Sequence, residues 1–161
     1  MVRVTVAQLA VDRNTNTPVV VLQDESGERT LPIFIGSAEA AAIAIELRGD
    51  APSRPMTHDL LKSLLLGLGG ELRRVYIAGL KDNTYYAQLV IGRGSDLFEV
   101  DARPSDSIAL ALRTRSPIFV HDDLFDNGAG EVAPPEPPAG AEALRQFLSK
   151  LNPEDLGRFH P

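Results

Sequence analysis

Hydrophobic and polar residues alternate at the start of the chain in a pattern typical of a β-strand. Val2, Val4 and Val6 fall on one face of an extended segment, with small or polar residues between them. Turn-forming residues separate this segment from two further strand-like runs, at 19–24 and 30–36. The first third of the chain therefore predicts a meander of antiparallel strands.

Two segments with helical spacing follow this meander. Residues 37–49 are rich in alanine, with Ser37 as a candidate N-cap and Gly49 as the terminating residue. The alanine-rich face predicts close packing on a sheet or on a neighbouring helix. A second helix is predicted to begin with Thr57 as its cap. Its leucines fall on one stripe: Leu60, Leu61, Leu64, Leu65 and Leu68.

Strand-like runs return in the second half of the chain. Three of them lie between residues 71 and 102, a helix is predicted from Pro104 to about Arg115, and a short strand follows at 117–120. Strands and helices thus do not alternate regularly, which argues against a doubly wound sheet. The sequence predicts an α+β fold, with a mixed, largely antiparallel sheet, three core helices and a C-terminal helical tail.

The composition changes after about residue 125. A proline-rich stretch, VAPPEPPAG, is typical of a linker. Beyond it, four apolar residues of AEALRQFLSKL share one face of a predicted amphipathic helix: Leu144, Phe147, Leu148 and Leu151. We therefore expect a core domain at 1–125, a linker at 126–140 and a helical tail at 141–161.

The composition also excludes several classes of site. The chain has 161 residues and no cysteine, which rules out disulfides, thiolate nucleophiles and cysteine-ligated zinc. Its formal net charge of −6 argues against a protein that coats DNA through a broad basic surface. The sequence shows neither a signal peptide nor an apolar run of transmembrane length, so we expect no membrane association and a cytoplasmic location.

Two similar phrases carry most of the candidate chemistry. SRPMTHDLLKSLL, 53–65, and VDARPSDSIALALRTR, 100–115, both place Arg-Pro, a hydroxyl residue and an aspartate before an apolar helix. Each choice has a structural reason, because Pro104 suits a first helical turn and Ser105 or Asp106 can accept from the free N–H groups there. On this interpretation, the polar residues are helix caps and internal ion pairs.

The same residues also permit a catalytic interpretation. Carboxylates where a strand ends and a helix begins could hold a divalent cation, Mg²⁺ or Mn²⁺, and Asp101 and Asp106 are the candidate ligands. Arginines could bind a phosphate through their planar guanidinium groups, and the candidates are Arg54, Arg103 and Arg113. The candidate catalytic residues are His58, Asp59, Asp101, Arg103 and Asp106.

Three segments, in this order, resemble the bifunctional nuclease domain family: PIFIGSAEAAAIA, RPMTHDLL and DARPSDSIALALR…PIFV. The similarity covers about residues 1–125. It implies an α+β core of a distinctive fold, and an activity described for plant members as acting on both RNA and DNA. Ser107 stands where the family usually has alanine. The family's recurrent polar positions fall here on Glu39, Arg54, Thr57, His58, Asp59, Asp101, Arg103, Ser105, Asp106 and Arg113.

The residues and the resemblance together predict a nuclease of low sequence specificity that hydrolyses RNA and DNA with the help of a metal ion. Nucleic acid would then be a substrate and not a stably bound partner. The alternative is a non-enzymatic oligomeric binding or regulatory module, and a binder of small phosphates or nucleotides would use the same arginines. We also expect a homo-oligomer, with a dimer favoured, because small residues allow close contact between helices.

Overall fold

The computed structural model of the protein describes residues 1–81 and 84–127. The predicted tail at 141–161, and all but the first two residues of the predicted linker, lie outside the described residues, so these boundaries stay predictions. The described elements, in chain order, are β1 (Val2–Val11), β2 (Pro18–Asp24), β3 (Thr30–Phe34), α1 (Ser37–Arg48), α2 (Thr57–Gly67), β4 (Glu71–Lys81), β5 (Thr84–Arg93), β6 (Asp96–Ala102), α3 (Pro104–Thr114), β7 (Ile118–Val120) and α4 (Asp123–Asn127).

One sheet of seven strands contains all the described strands, in the order β3-β2-β1-β7-β4-β5-β6. Two antiparallel meanders, β1-β2-β3 and β4-β5-β6, form its halves. The short strand β7 lies between them, antiparallel to β1 and parallel to β4. The sheet is therefore mixed and largely antiparallel, which confirms the predicted α+β fold.

The hydrophobic core lies against one face of this sheet. Alternation along β4 distinguishes the two faces, since Val75 and Ile77 are fully buried whereas Arg74 is exposed. Helix α3 contributes Ile108 and Ala109 to the core and contacts α1, α2, β4 and β5. Because α3 touches both neighbouring helices, its polar residues can meet theirs. A bilayer-spanning helix is not found in the described part of the chain.

The first two helices begin one residue away from their predicted caps. The N-caps are Gly36 and Met56, both in extended conformation, so Ser37 and Thr57 are the first helical residues of α1 and α2. Within α2, the carboxylate of Asp59 accepts a hydrogen bond from the Met56 N–H at 2.9 Å. The caps predicted at Ser37 and Thr57 were therefore wrong. A glycine is the N-cap of α1, and at the start of α2 the Asp59 carboxylate accepts the hydrogen bond from the N-cap N–H.

Helix α3 begins at Pro104, as predicted, and Arg103 is its extended N-cap. The prediction that Ser105 or Asp106 caps this helix was wrong, since no side chain of the described residues does so. The hydroxyl of Ser107 instead donates to the Arg103 carbonyl at 2.9 Å, and the Asp106 carboxylate bonds to other side chains. Because it does not cap α3, the Asp106 carboxylate is available for hydrogen bonds to other side chains.

Most of the predicted leucine stripe of α2 is exposed. Leu60, Leu61, Leu64 and Leu68 are between 42% and 72% exposed, and we call these four residues the leucine face. Leu65 alone of the stripe packs against the core, and the buried residue of α2 is His58. The start of α2 is therefore integrated into the fold, whereas its leucine face remains uncovered by the described residues.

Candidate functional site

The two Arg-Pro helix starts meet in space. Nε2 of His58, in the first turn of α2, lies 3.0 Å from Oδ1 of Asp106, in the first turn of α3. The neighbouring Asp59 accepts a hydrogen bond at 2.6 Å from Nε of Arg113, near the end of α3. Residues that are 48 and 54 positions apart in sequence therefore form two adjacent pairs between the same helices.

Arg103 extends the first pair into a network of four side chains. Its Nε donates to Oδ2 of Asp106 at 2.7 Å, and its Nη2 lies 2.8 Å from Oε1 of Glu39 in the first turn of α1. Both oxygens of Asp106 are thus engaged, one by His58 and one by Arg103. The network brings together the N-terminal turns of all three larger helices, where the positive ends of the helix dipoles also lie.

The Glu39 side chain can take this position because the residue at the N-cap of α1 is a glycine. A Cβ added at Gly36 would overlap the Glu39 carboxylate, so the glycine before α1 permits the carboxylate to fold back over the helix start. The side chain of Glu39 is half-buried against the network. The sequence indicated Glu39 only through the family resemblance, and its contact with Arg103 was not predicted.

The four side chains range from buried to open. The side chain of His58 is 7% exposed, that of Asp106 is 30% exposed and that of Arg103 is 66% exposed. A polar cluster that reaches the surface in this way is accessible to a ligand on the Arg103 side and mostly enclosed by the fold on the His58 side. Asp106 connects the two sides.

The carboxylate of Asp106 is ionised at neutral pH. Burial raises its pKa, but hydrogen bonds from Arg103 and His58, together with the charge of Arg103, outweigh this and hold the pKa below its ordinary value. The same contact raises the pKa of Arg103. Because the ionised carboxylate can only accept, Nε2 of His58 carries the proton in the shared hydrogen bond.

Arg113 and Asp59 form an ion pair next to this network that anchors the helices to one another. The side chain of Arg113 is 2% exposed, and it donates to Asp59, to the Ala109 carbonyl at 2.9 Å and to the Ala42 carbonyl at 3.1 Å. Burial raises the pKa of Asp59, but hydrogen bonds from Met56 and Arg113 outweigh this and lower it. In this conformation the Arg113 guanidinium ties α1, α2 and α3 together and is not accessible to a phosphate.

Two other predicted site residues lie at the surface. The side chains of Arg54 and Asp101 are exposed, and neither makes a hydrogen bond or an ion pair among the described residues. Arg54 lies in the loop before α2, four residues before His58, and Asp101 lies on β6, opposite Gln88 of β5. Both are accessible to a ligand, but the structure does not join them to the network.

The donor set does not form a ready-made cation site. No group of three or more His, Asp or Glu residues within residues 1–81 and 84–127 is placed to hold a metal ion. Of the two predicted ligands, Asp106 already has both oxygens bonded, and a cation approaching it would meet the charge of Arg103. In this conformation, the residues of the network do not fit a divalent metal.

Comparison with known proteins identifies the family. The sequence model described as "Bifunctional nuclease domain" matches residues 20–133. An uncharacterised protein of Mycobacterium tuberculosis is 40% identical over 165 residues, which cover 97% of this chain and 98% of the relative. "Bifunctional nuclease 2" of rice, Oryza sativa subsp. japonica, is 31% identical over 73% of this chain but only 38% of its own length. "Bifunctional nuclease 1" of Arabidopsis thaliana is 28% identical over 74% of this chain and 40% of its own length. The chain belongs to the bifunctional nuclease domain family.

Proposed function

We propose that the protein is a nuclease of low sequence specificity that hydrolyses phosphodiester bonds in RNA and DNA, with nucleic acid as a transient substrate. The observation that carries this proposal is the contact of His58 and Arg103 with the two oxygens of one carboxylate, Asp106. The family, and the names of the plant relatives, support the reaction class.

His58 supplies the group that moves a proton. Its Nε2 donates to the ionised Asp106, so in the neutral ring the lone pair lies on Nδ1. Nδ1 takes part in none of the described hydrogen bonds. Every fully buried side-chain nitrogen or oxygen of the described residues, by contrast, has a hydrogen-bond partner. Nδ1 is therefore not completely buried, and we assign it the role of accepting a proton from an attacking water.

Arg103 supplies positive charge for the phosphate. Its Nε and Nη2 bond to Asp106 and Glu39, which fixes the plane of the guanidinium, and its Nη1 takes part in none of the described bonds. A fixed guanidinium with an open edge can bind the non-bridging oxygens of a phosphate and stabilise the charge that develops there. The carboxylates of Glu39 and Asp106 already lie at the positive ends of the converging helices, and Arg54 is an exposed second candidate for phosphate contact.

The proposal assigns no step to a metal ion, because the network does not fit one in this conformation. A requirement for Mg²⁺ or Mn²⁺ remains a proposal from the sequence. An assay with each ion, and with a chelator, tests it.

The decisive experiment measures cleavage of labelled single-stranded RNA and DNA by the purified full-length protein. General acid–base catalysis contributes about 10²–10⁴-fold to a rate, so His58→Ala is expected to lose about 100-fold or more. His121→Ala is the matched control, because His121 lies outside the network, beside Asp123. A folded His58→Ala protein that cleaves within threefold of the wild type would overturn the site assignment.

A second candidate function is a non-enzymatic, oligomeric binding or regulatory module, and the exposed leucine face favours it. In that case the polar network is structural, and wild-type protein shows no cleavage under any metal condition. Light scattering at several concentrations tests the proposed dimer. A strictly monomeric, active nuclease would exclude this candidate.

A further inference from the structure

Helix α2 and strand β6 both expose apolar side chains on the same side of the sheet. Leu65 of α2 lies next to Gly70 and Ile91, since a Cβ added at Gly70 would contact both side chains. Phe98 of β6 pairs with Ile91 and therefore points to the same side of the sheet. Phe98 and Val100, each 41% exposed, therefore lie on the side of the sheet that carries α2.

Exposed apolar side chains thus form two groups on this side of the protein, the leucine face and the pair of Phe98 and Val100. Patches of contiguous apolar side chains on soluble proteins mark surfaces that another segment or molecule covers. An amphipathic helix normally turns its leucines inwards, whereas α2 buries His58 and exposes the leucine face. Among the described residues, Arg93 lies over the Phe98 ring, but nothing covers the leucine face.

The chain itself carries a second apolar face of matching kind. Beyond the described residues, the sequence AEALRQFLSKL at 141–151 predicts an amphipathic helix. Its apolar positions follow the spacing i, i+3, i+4 and i+7: Leu144, Phe147, Leu148 and Leu151. The leucine face and this predicted apolar face can cover each other, because both are apolar.

The connecting segment is long enough to bring the two faces together. The described chain ends in α4, which packs against β3, and β3 and β6 are the two edges of the sheet. Six interstrand spacings separate these edges by roughly 29 Å. The connecting residues 128–140 are rich in proline, and thirteen residues in a polyproline conformation span about 40 Å. A tether of this length also holds the segment at a local concentration of about a millimolar.

We propose that residues 141–151 dock as an amphipathic helix on the leucine face of their own core. The apolar side of this helix then covers both the leucine face and the side chains of Phe98 and Val100. Its apolar residues are Leu144, Phe147, Leu148 and Leu151. This interaction is independent of the nuclease activity proposed above. It places the C-terminal segment along the helix that carries His58.

Disulfide trapping tests this docking, and the absence of native cysteine makes the experiment clean. The full-length double variant Leu64→Cys/Leu148→Cys is compared with Thr5→Cys/Leu148→Cys, because Thr5 is exposed on the opposite face of the sheet. Mild oxidation is expected to form the intramolecular disulfide at least tenfold faster in the first variant. Equal rates in the two variants overturn the proposal. So does a disulfide found only between two chains, or efficient dimer formation by Leu64→Cys alone, since either result assigns the surface to a second copy.

A second measurement leaves the core unchanged. Phe147→Asp places a charge in the apolar face of the segment, whereas Ser149→Asp places the same charge on its polar face. Hydrogen exchange of the α2 amides is expected to rise at least fivefold in Phe147→Asp and to remain at the wild-type rate in Ser149→Asp. Unchanged α2 exchange in Phe147→Asp would contradict the docking.

Discussion

Nε2 of His58 lies 3.0 Å from Oδ1 of Asp106, and this contact joins the first turns of α2 and α3. The histidine is buried and the aspartate is half-exposed, so the carboxylate lies between the interior and the surface. Its other oxygen holds the exposed Arg103. One carboxylate therefore orients both a group that can move a proton and a group that can bind a phosphate.

Replacing Asp106 by asparagine tests whether this carboxylate stabilises the helix starts. In Asp106→Asn, an amide N–H₂ faces the Arg103 Nε–H or the His58 N–H, so at least one charge-assisted hydrogen bond is lost. We expect a loss of about 1–3 kcal/mol in the free energy of unfolding, measured by urea denaturation. Asp101→Asn is the matched control, because Asp101 has no side-chain partner among the described residues, and its change should stay within about 0.5 kcal/mol. Equal effects for the two variants would show that the network adds no stability.

Removing Arg113 should be more damaging than any change at the surface. Its guanidinium is buried and satisfies Asp59 together with the carbonyls of Ala42 and Ala109. Arg113→Ala removes the donor shared by these three acceptors, and breaking a buried ion pair costs about 3–5 kcal/mol. Because the Asp59 side chain is 28% exposed, we expect a loss at the lower end of this range, about 3 kcal/mol. The readout is again the free energy of unfolding in urea.

Arg54→Ala is the matched control for Arg113→Ala. Arg54 is exposed and has no hydrogen-bond or ion-pair partner among the described residues, so its loss should change the free energy of unfolding by no more than about 0.5 kcal/mol. A stable Arg113→Ala protein, within about 1 kcal/mol of the wild type, would contradict the anchoring role and reopen the phosphate-binding role predicted from the sequence.

The strands and helices could be predicted because their signals are local. Alternation at Val2, Val4 and Val6 identifies β1, and Pro104 marks the start of α3. The sequence could not predict that β7 lies in the centre of the sheet, parallel to β4 and antiparallel to β1. The local pattern of a three-residue strand does not specify with which distant strands it pairs.

The candidate site could be predicted only in part, for the same reason. His58, Arg103 and Asp106 were identified as candidate residues, but their contact depends on how α2 packs against α3. Seven positions separate Asp106 from Arg113, which predicts one shared helix face, yet one side chain reaches the surface and the other is buried. Burial is a tertiary property, so the sequence assigned a surface role to an interior anchor.

The turn between β2 and β3 should make stability depend on pH at the acid end. Burial raises the pKa of Asp24, but hydrogen bonds from Arg29, Ser26 and the Glu28 N–H outweigh this and lower it from 3.8 to about 2. A depressed pKa means that the carboxylate contributes stability above pH 3.8, and that this contribution is lost as the pH falls towards 2. Asp24→Asn should therefore lower stability at neutral pH and flatten its fall between these two pH values. Urea unfolding at a series of pH values checks this, and an unaltered acid profile would show that Asp24 is not responsible.

Arg103→Lys separates the charge of the guanidinium from its geometry. Lysine keeps the positive charge but cannot bond to Asp106 and Glu39 while presenting a further edge to a phosphate. We expect kcat/KM on single-stranded RNA and DNA to fall about tenfold or more, whereas far-ultraviolet circular dichroism stays that of the wild type. Arg93→Lys is the control, because Arg93 contacts Phe98 on the β5–β6 hairpin, outside the network. Equal kcat/KM in the wild type and Arg103→Lys would show that only the positive charge of Arg103 matters. The proposed mechanism would then lose the contact between the planar guanidinium and the phosphate.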